Sequence, residues 1–296
     1  MKSGFVSILG RPNTGKSTLL NRVVGQKVAI VADKPQTTRQ VVQGVAHRPG
    51  AQIVFLDSPG IHRPKDRLTR RMMRDVHDAL EARDLLLLLV DATVPLGPED
   101  ERAVELVRSA RTPALLVLNK IDRVQPKDRL LPLIEGYQTR FSFEEYLPVS
   151  ALTGEGVEAL EAAVAARLPE GPAYFPEDHV TDQPLRHLAG ELVREKVFQL
   201  SHQEVPYACA VAIDRFEEGG PVIGIAATIY VERPGQKGII IGAGGQHLKR
   251  IGTLARQEME SLFGSKVFLE LYVKVRAGWR QSDSFLNGLD WRRQTV

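Results

Sequence analysis

Short apolar runs alternate with amphipathic stretches through the first 168 residues. Phe5–Leu9, 41–46, 52–56, Leu85–Val90, Ala114–Leu118 and Tyr146–Val149 read as strands, with 41–46 and 52–56 paired across the Pro49-Gly50 turn. Helical spacing covers Lys16–Val24 and the stretches near 66–82, 99–110 and 154–168. Runs such as Leu85–Val90 lack the alternation of a half-exposed strand, so they predict strands covered on both faces. Strands alternating with helices predict an α/β fold with a mostly parallel central sheet over 1–168. Pro169, Gly171, Pro172, Pro176 and Pro184 then break the pattern, marking 169–184 as a linker. Beyond it the order changes to α-β-β-α-α-β. A helix is predicted at 185–202, strands at 207–214 and 222–231, a short apolar segment with a Gly-rich turn, a helix at 245–263 and a strand at 267–275. This is a smaller α+β domain over 185–275, followed by a tail at 276–296.

Composition narrows the class. Of 296 residues, 43% are hydrophobic and 25% charged, which excludes a disordered or collagenous chain. The one cysteine, Cys209, can form neither an internal disulfide nor a zinc cage, so a reducing compartment is expected. No apolar run approaches the ~20 residues that span a bilayer. The motif beginning at Gly10 leaves no room for a signal peptide, so the expected location is the cytoplasm. Net charge is only +3, which gives no global case for a polyanion partner. The second half is uneven, however: residues 169–218 hold 4 basic and 10 acidic residues, and 219–296 hold 11 and 6. A locally basic C-terminal segment is a candidate polyanion footprint.

Gly10-Arg11-Pro12-Asn13-Thr14-Gly15-Lys16-Ser17, followed by Thr18, fits G-x-x-x-x-G-K-[ST] between a predicted strand and a predicted helix. The glycines let successive N–H groups curl around phosphates, and the helix N-terminus adds its partial positive charge. Lys16 reaches the β and γ phosphates, and Ser17 offers a hydroxyl to Mg²⁺. Asp57-Ser58-Pro59-Gly60 ends another strand, where Asp57 suits Mg²⁺ and the Gly60 N–H suits a γ phosphate. Asn119-Lys120-Ile121-Asp122 ends a third. There Asp122 can accept both N–H groups of the guanine Watson–Crick edge, and Asn119 can address the far edge. Ser150-Ala151-Leu152 ends the last strand, with a backbone N–H for the guanine carbonyl. Each motif alone is weak. Four in this order, all at C-terminal ends of strands, are strong, because ligands of open α/β sheets collect there.

With Gln36-Thr37-Thr38-Arg39 between the first two motifs, residues 1–168 resemble a translation-factor-type small GTPase domain. The second domain sharpens this to the Era family of bacterial ribosome-assembly GTPases. The resemblance implies a Mg²⁺ cofactor held by Ser17, Thr38 and Asp57, Thr38 being preferred to Thr37. It implies Lys16, Thr38, Gly60 and Asn13 as the residues acting in hydrolysis. The residue after Gly60 is Ile61, which cannot orient water by hydrogen bonding, so intrinsic turnover is expected to be slow. Related GTPases with asparagine at the position of Asn13 hold K⁺ near the phosphates, which makes K⁺ a second candidate ion; His62 is a weaker candidate.

In the second domain, Gly242-Ala243-Gly244-Gly245 forms a G-x-x-G turn between an apolar segment and a helix. Small residues there let a sugar–phosphate backbone approach two helix ends. The element order resembles a type II KH domain over 185–275. Arg233, Lys237, Lys249 and Arg250 would line the approach. Ala243 departs from the lysine that family members often carry inside the turn. The resemblance implies GTP and GDP as ligands, and the 3′ end of 16S rRNA in the small ribosomal subunit as partner. It also implies action as a monomer, with peripheral attachment to the inner face of the cell membrane left open. The alternative keeps the GTPase switch but gives the C-terminal domain a protein or membrane partner. A metabolic kinase is disfavoured by N-K-x-D.

Overall fold

The computed structural model describes residues 1–81 and 83–293, which fall into two compact units. The first comprises Met1–Pro64 and Thr69–Asp182, and the second Lys65–Leu68 and Gln183–Val296.

The first unit is built on β1 (Lys2–Leu9), β2 (Val42–Arg48), β3 (Ala51–Asp57), β4 (Leu85–Asp91), β5 (Ala114–Asn119) and β6 (Glu145–Pro148), in the order β2-β3-β1-β4-β5-β6. Only β2 and β3 are antiparallel; the remaining pairings are parallel, as the alternating pattern predicts. The helices are α1 (Lys16–Val24), α2 (Arg67–Asp78, whose first two residues fall in the second unit), α3 (Pro98–Ala110), α4 (Leu130–Gln138) and α5 (Val157–Arg167). Apolar side chains bury both sheet faces. Leu85, Leu87 and Leu89 of β4 pack with residues of α1 and α5, whereas Leu86, Leu88 and Val90 pack with residues of α3 and α4. A strand sandwiched in this way needs apolar residues at every position, which is why β4 reads Leu-Leu-Leu-Leu-Leu-Val.

Three features differ from the sequence expectation. The helix α4 follows the cis Gln125-Pro126 bond, and Pro132 within it masks its helical pattern. The segment predicted as a linker is laid down on the first unit as far as Asp182. Buried Gln52 organises it: its amide nitrogen donates to the Phe175 carbonyl at 2.7 Å, and its Oε1 accepts from the N–H groups of Tyr174 and Phe175 at 2.7 and 3.1 Å. Farther on, the Val45 N–H donates to the Val180 carbonyl at 2.8 Å. The predicted helix at 66–82 ends at Asp78, and its last residue lies outside those described.

The second unit holds α6 (Leu185–Leu200), β7 (Ala210–Glu217), β8 (Val222–Val231), α7 (Pro234–Ile241), α8 (Gln246–Phe263), β9 (Lys266–Val275) and α9 (Asp283–Gly288). Its sheet runs β7-β8-β9, antiparallel then parallel. The apolar segment before the Gly-rich turn is thus α7, and the α-β-β-α-α-β order is complete. β7 begins three residues later than the spacing predicts, because Glu204–Ala208 close a turn first. In the tail, Trp279 is fully buried, with its indole N–H donating to the Ala208 carbonyl at 2.9 Å. It is therefore part of the core; residues 294–296 of the tail lie outside those described.

Candidate functional site

In the first unit, the loops following β1, β3, β5 and β6 emerge at one edge of the sheet, where the order reverses around β1. The loop after β1 needs its glycines. Gly10 has φ +150° and a Cβ there would stand 2.3 Å from the Leu89 carbonyl oxygen; at Gly15, φ +97°, it would meet Asn119 Nδ2 at 2.3 Å. Gly60 has ordinary φ, but its Cβ would lie 2.9 Å from the backbone of Pro12, so the loop after β3 abuts the loop after β1. A cavity of about 320 Å³ opens here, lined by Pro12, Asn13, Gly15–Thr18, Thr38, Gly60 and Lys120 among others. Asp122 and Ser150–Leu152 lie outside that lining.

Lys16 is the buried cation of the cavity. Its Nζ donates to the carbonyls of Gly10 and Arg11 at 3.1 and 3.0 Å. Burial lowers its pKa from 10.5 to about 8, against the attraction of Asp57. Asp57 is itself fully buried, and burial lifts its carboxyl above the usual range, opposed by Lys16 and by hydrogen bonds from Ser17 and Thr38. The three expected metal ligands meet. Ser17 Oγ lies 2.6 Å from Asp57 Oδ2 and 2.8 Å from Thr38 Oγ1, and Thr38 Oγ1 donates to the same Oδ2 at 3.2 Å. Thr37 instead donates to the Lys34 carbonyl at 2.7 Å and closes a local turn. Asp57 Oδ1 is buried without a partner. A partnerless carboxylate oxygen beside two hydroxyls is a hard-oxygen set that fits Mg²⁺.

Asn119 braces the site. Its Nδ2 donates to the Thr14 carbonyl at 2.7 Å and its Oδ1 accepts from the Ala151 N–H at 2.9 Å, so it ties the loops after β1, β5 and β6 together. That bracing satisfies its buried amide. Lys120, at φ +69°, donates to the Asn13 carbonyl and to Asp91 Oδ2, each at 2.7 Å. Burial would raise the Asp91 carboxyl, but Lys120 and Thr93 outweigh it and hold it below its ordinary value. Asp122 is half-buried, Ser150 and Ala151 are buried, and Leu152 is 69% exposed. Ser58 donates to the Ile8 carbonyl at 2.8 Å and so fastens the loop after β3 to β1. Asn13 is exposed, with Nδ2 3.4 Å from the Asp33 carbonyl. Ile61 is buried, its N–H donating to the Gly10 carbonyl at 3.1 Å. Sequence reasoning missed Asp100. It forms an ion pair with Arg11 at 3.3 Å and accepts from the Gly97 N–H at 3.0 Å. Its only signal is the Gly97-Pro98-x-Asp100 helix start.

In the second unit, Gly242, Gly244 and Gly245 all have positive φ, at +72°, +55° and +77°. A Cβ at Gly242 would stand 2.6 Å from His247 Cβ, while Gly244 and Gly245 face open space. The turn joins α7 to α8 with Ala243 exposed. Arg233, Lys249 and Arg250 are exposed and Lys237 is half-buried. His247 bridges the turn to the neighbouring helix, with Nδ1 3.0 Å from the Ile239 carbonyl and Nε2 3.2 Å from that of Leu200.

Comparison with known proteins agrees with this geometry. Residues 5–120 match the family model of a 50S ribosome-binding GTPase, and residues 204–280 match a KH domain. The GTPase Era of Geobacter metallireducens is 49% identical over 292 residues, covering 98% of each chain. This chain belongs to the Era family. Membership in that family makes it a GTPase of two domains, with the phosphate loop on a mostly parallel sheet and a KH domain after it. Its fold superposes on that of an Era variant from Aquifex aeolicus bound to GDP·AlF₄⁻, at TM-score 0.95 and 43% identity, covering 98% of this chain and 99% of that one. It matches equally, with 98% of each chain covered, an Era structure in complex with MgGDPNP and nucleotides 1506–1542 of 16S ribosomal RNA. Membership in the family implies Mg²⁺ as cofactor, and the oxygen set around Asp57 fits it. Among the described residues, no helix is long and apolar enough to cross a membrane.

Proposed function

We propose that this GTPase uses its nucleotide state to control a grip on the 3′ end of 16S rRNA during assembly of the small ribosomal subunit. The observation that carries the reading is the meeting of Thr38 with Ser17 and Asp57, which ties the loop 32–38 to the metal site. A loop held by such a cluster is ordered by a γ phosphate with its metal and released on hydrolysis. We assign GTP binding and hydrolysis to residues 1–168 and RNA binding to 185–275.

Lys16 and the N–H groups of the loop Gly10–Thr18 would neutralise charge on the β and γ phosphates. Ser17, Thr38 and Asp57 would hold Mg²⁺, which supplies further neutralisation of the developing charge. The Gly60 N–H faces the γ phosphate in this reading. Asp122 selects guanine, with Lys120 and the Ser150–Leu152 backbone completing the base site and Asn119 bracing it. Ile61 offers no hydrogen bond to the attacking water, so Asn13 is assigned to hold K⁺ as the missing positive charge. Gly242–Gly245, with Arg233, Lys237, Lys249 and Arg250, forms the RNA clamp. Its loss of a lysine at Ala243 leaves the phosphate contacts to the flanking cations.

Fluorescence anisotropy with a single-stranded RNA copying the 16S rRNA 3′ end tests the reading. Binding is expected to exceed that of a scrambled RNA and to be stronger with a non-hydrolysable GTP analogue than with GDP. Equal affinity in the two nucleotide states would refute the switch. Hydrolysis in matched K⁺ and Na⁺ salts tests Asn13; equal rates would remove its assigned role.

A further inference from the structure

Helix α2 carries an unusual load of cations. It reads RLTRRMMRDVHD, with no acidic residue in its first turn. Leu68, Met72 and Val76 are buried, and Arg67, Arg70 and Arg74 are exposed on the opposite side. At 3.6 residues per turn the three arginines fall within a sector of about 60°. Arg63, four residues ahead of the helix start in sequence, is also exposed. Arg67 is already paired with Asp283, within the second unit. Among the described residues, Arg63, Arg70 and Arg74 have no ion-pair partner.

This arrangement works against the helix that carries it. Like charges at i, i+3 and i, i+4 destabilise an exposed helix. Cations in the N-terminal half also oppose the positive end of the helix dipole. Asp75 is buried on the other side, and the exposed Asp78, four residues after Arg74 at the helix end, is the single carboxylate of α2 on the arginine face. A local conflict of this kind, kept without visible structural return, marks a binding surface more often than a structural one. Positive side chains and helix dipole together concentrate positive potential at a single place.

We infer that Arg63, Arg70 and Arg74 form a second RNA-binding surface, on the GTPase domain, that takes the sugar–phosphate backbone of folded ribosomal RNA. The inference rests on RNA being the partner of the protein. Arginine is the residue suited to this ligand, since its planar fork addresses phosphate oxygens in pairs. Arg70 and Arg74 rise by about 6 Å along the helix, so they address neighbouring phosphates along a strand, not one anion. An anionic lipid surface is the less apt partner. Interfacial helices bury an apolar face in the bilayer, and Leu68, Met72 and Val76 of α2 are already buried within the protein. Such contacts position RNA and carry no base selectivity.

The test uses the full chain with Arg63, Arg70 and Arg74 all changed to Gln, and a matching triple Lys variant. Binding is measured to purified small ribosomal subunits, to the short 3′-end oligonucleotide and to phosphatidylglycerol vesicles, from low to high salt. The Gln variant should bind subunits about tenfold more weakly, with the slope of log affinity against log salt reduced by about 2 to 3. The Lys variant should keep the slope. Oligonucleotide binding and basal GTP hydrolysis should be unchanged. An unaltered subunit affinity and slope in the Gln variant would overturn the inference. So would loss of vesicle binding with subunit binding intact, which would assign the stripe to lipid. Failure of the unmodified chain to bind the oligonucleotide would count against the KH-domain reading, which the subunit measurement does not depend on.

Discussion

Nucleotide binding should take up a proton, and the amount can be worked from Lys16. Its ammonium is buried in the phosphate loop with pKa about 8 in place of 10.5. Phosphate anions arriving at Nζ favour the charged form and move the pKa back up. The free protein then holds the lysine about half neutral at pH 8, roughly 0.1 neutral at pH 7 and about 0.9 neutral at pH 9. Those fractions are the protons taken up per nucleotide bound. The full linkage amounts to about 3 kcal/mol if the ordinary value is restored, so affinity falls towards tenfold per pH unit above pH 8. The sign for the free fold is the reverse. Because the folded pKa lies below the unfolded one, the buried charge costs stability below pH 8, and that cost fades as pH rises from 8 to 10.5. Calorimetry with Mg·GDP in buffers of different ionisation enthalpy reads the uptake directly. At pH 8.5 the observed enthalpy should change with buffer enthalpy at a slope of about 0.8, vanishing in a Lys16→Met variant. A slope near zero in the unmodified protein would refute the argument, because the phosphates would then be meeting an already charged lysine.

Other variants probe the remaining joints. Asn119→Ala removes the bonds to Thr14 and Ala151 and should weaken GDP binding roughly 10- to 100-fold, seen in stopped-flow release of a fluorescent nucleotide. Gly242→Ala forces a Cβ to 2.6 Å from His247 at positive φ, and should destabilise the second unit by about 1–3 kcal/mol in urea unfolding. It should lower RNA affinity without altering GDP binding. Gln52→Ala strips the Tyr174 and Phe175 backbone of its partners, costing about 1–3 kcal/mol, and should expose residues 170–182 to limited proteolysis while the rest of the unit resists.

The parts of this protein legible in its sequence are those dictated by local chemistry. Gly10 and Gly15 announce the phosphate loop because no side chain fits there, and the unbroken leucines of β4 announce a strand buried on both faces. Three kinds of information were not local. The brace at Asn119 depends on Thr14 and Ala151, residues far apart in the chain, so no local motif shows it. The proline-rich stretch 169–184 looked like a free joint because proline and glycine signal broken helix and strand equally well when the chain is anchored by one buried side chain, Gln52. Arg63, Arg70 and Arg74 are plain in the sequence; what it could not show is that all are exposed, Arg70 and Arg74 on one helix face, while Asp75 is turned inward.

The segment that Gln52 anchors also decides what the sheet can do to another molecule. β2 ends the six-stranded sheet, and its outward N–H and C=O groups would otherwise be a ready template for a foreign strand. The Val180 carbonyl takes the Val45 N–H, Thr181 donates to the Gln43 carbonyl at 2.7 Å, and His47 meets the His179 carbonyl at 2.9 Å. Residues 179–181 thus act as a selvedge, finishing the fabric so that it cannot be extended. A truncation that left the nucleotide pocket whole but removed this border would yield a GTPase domain prone to edge-to-edge self-association.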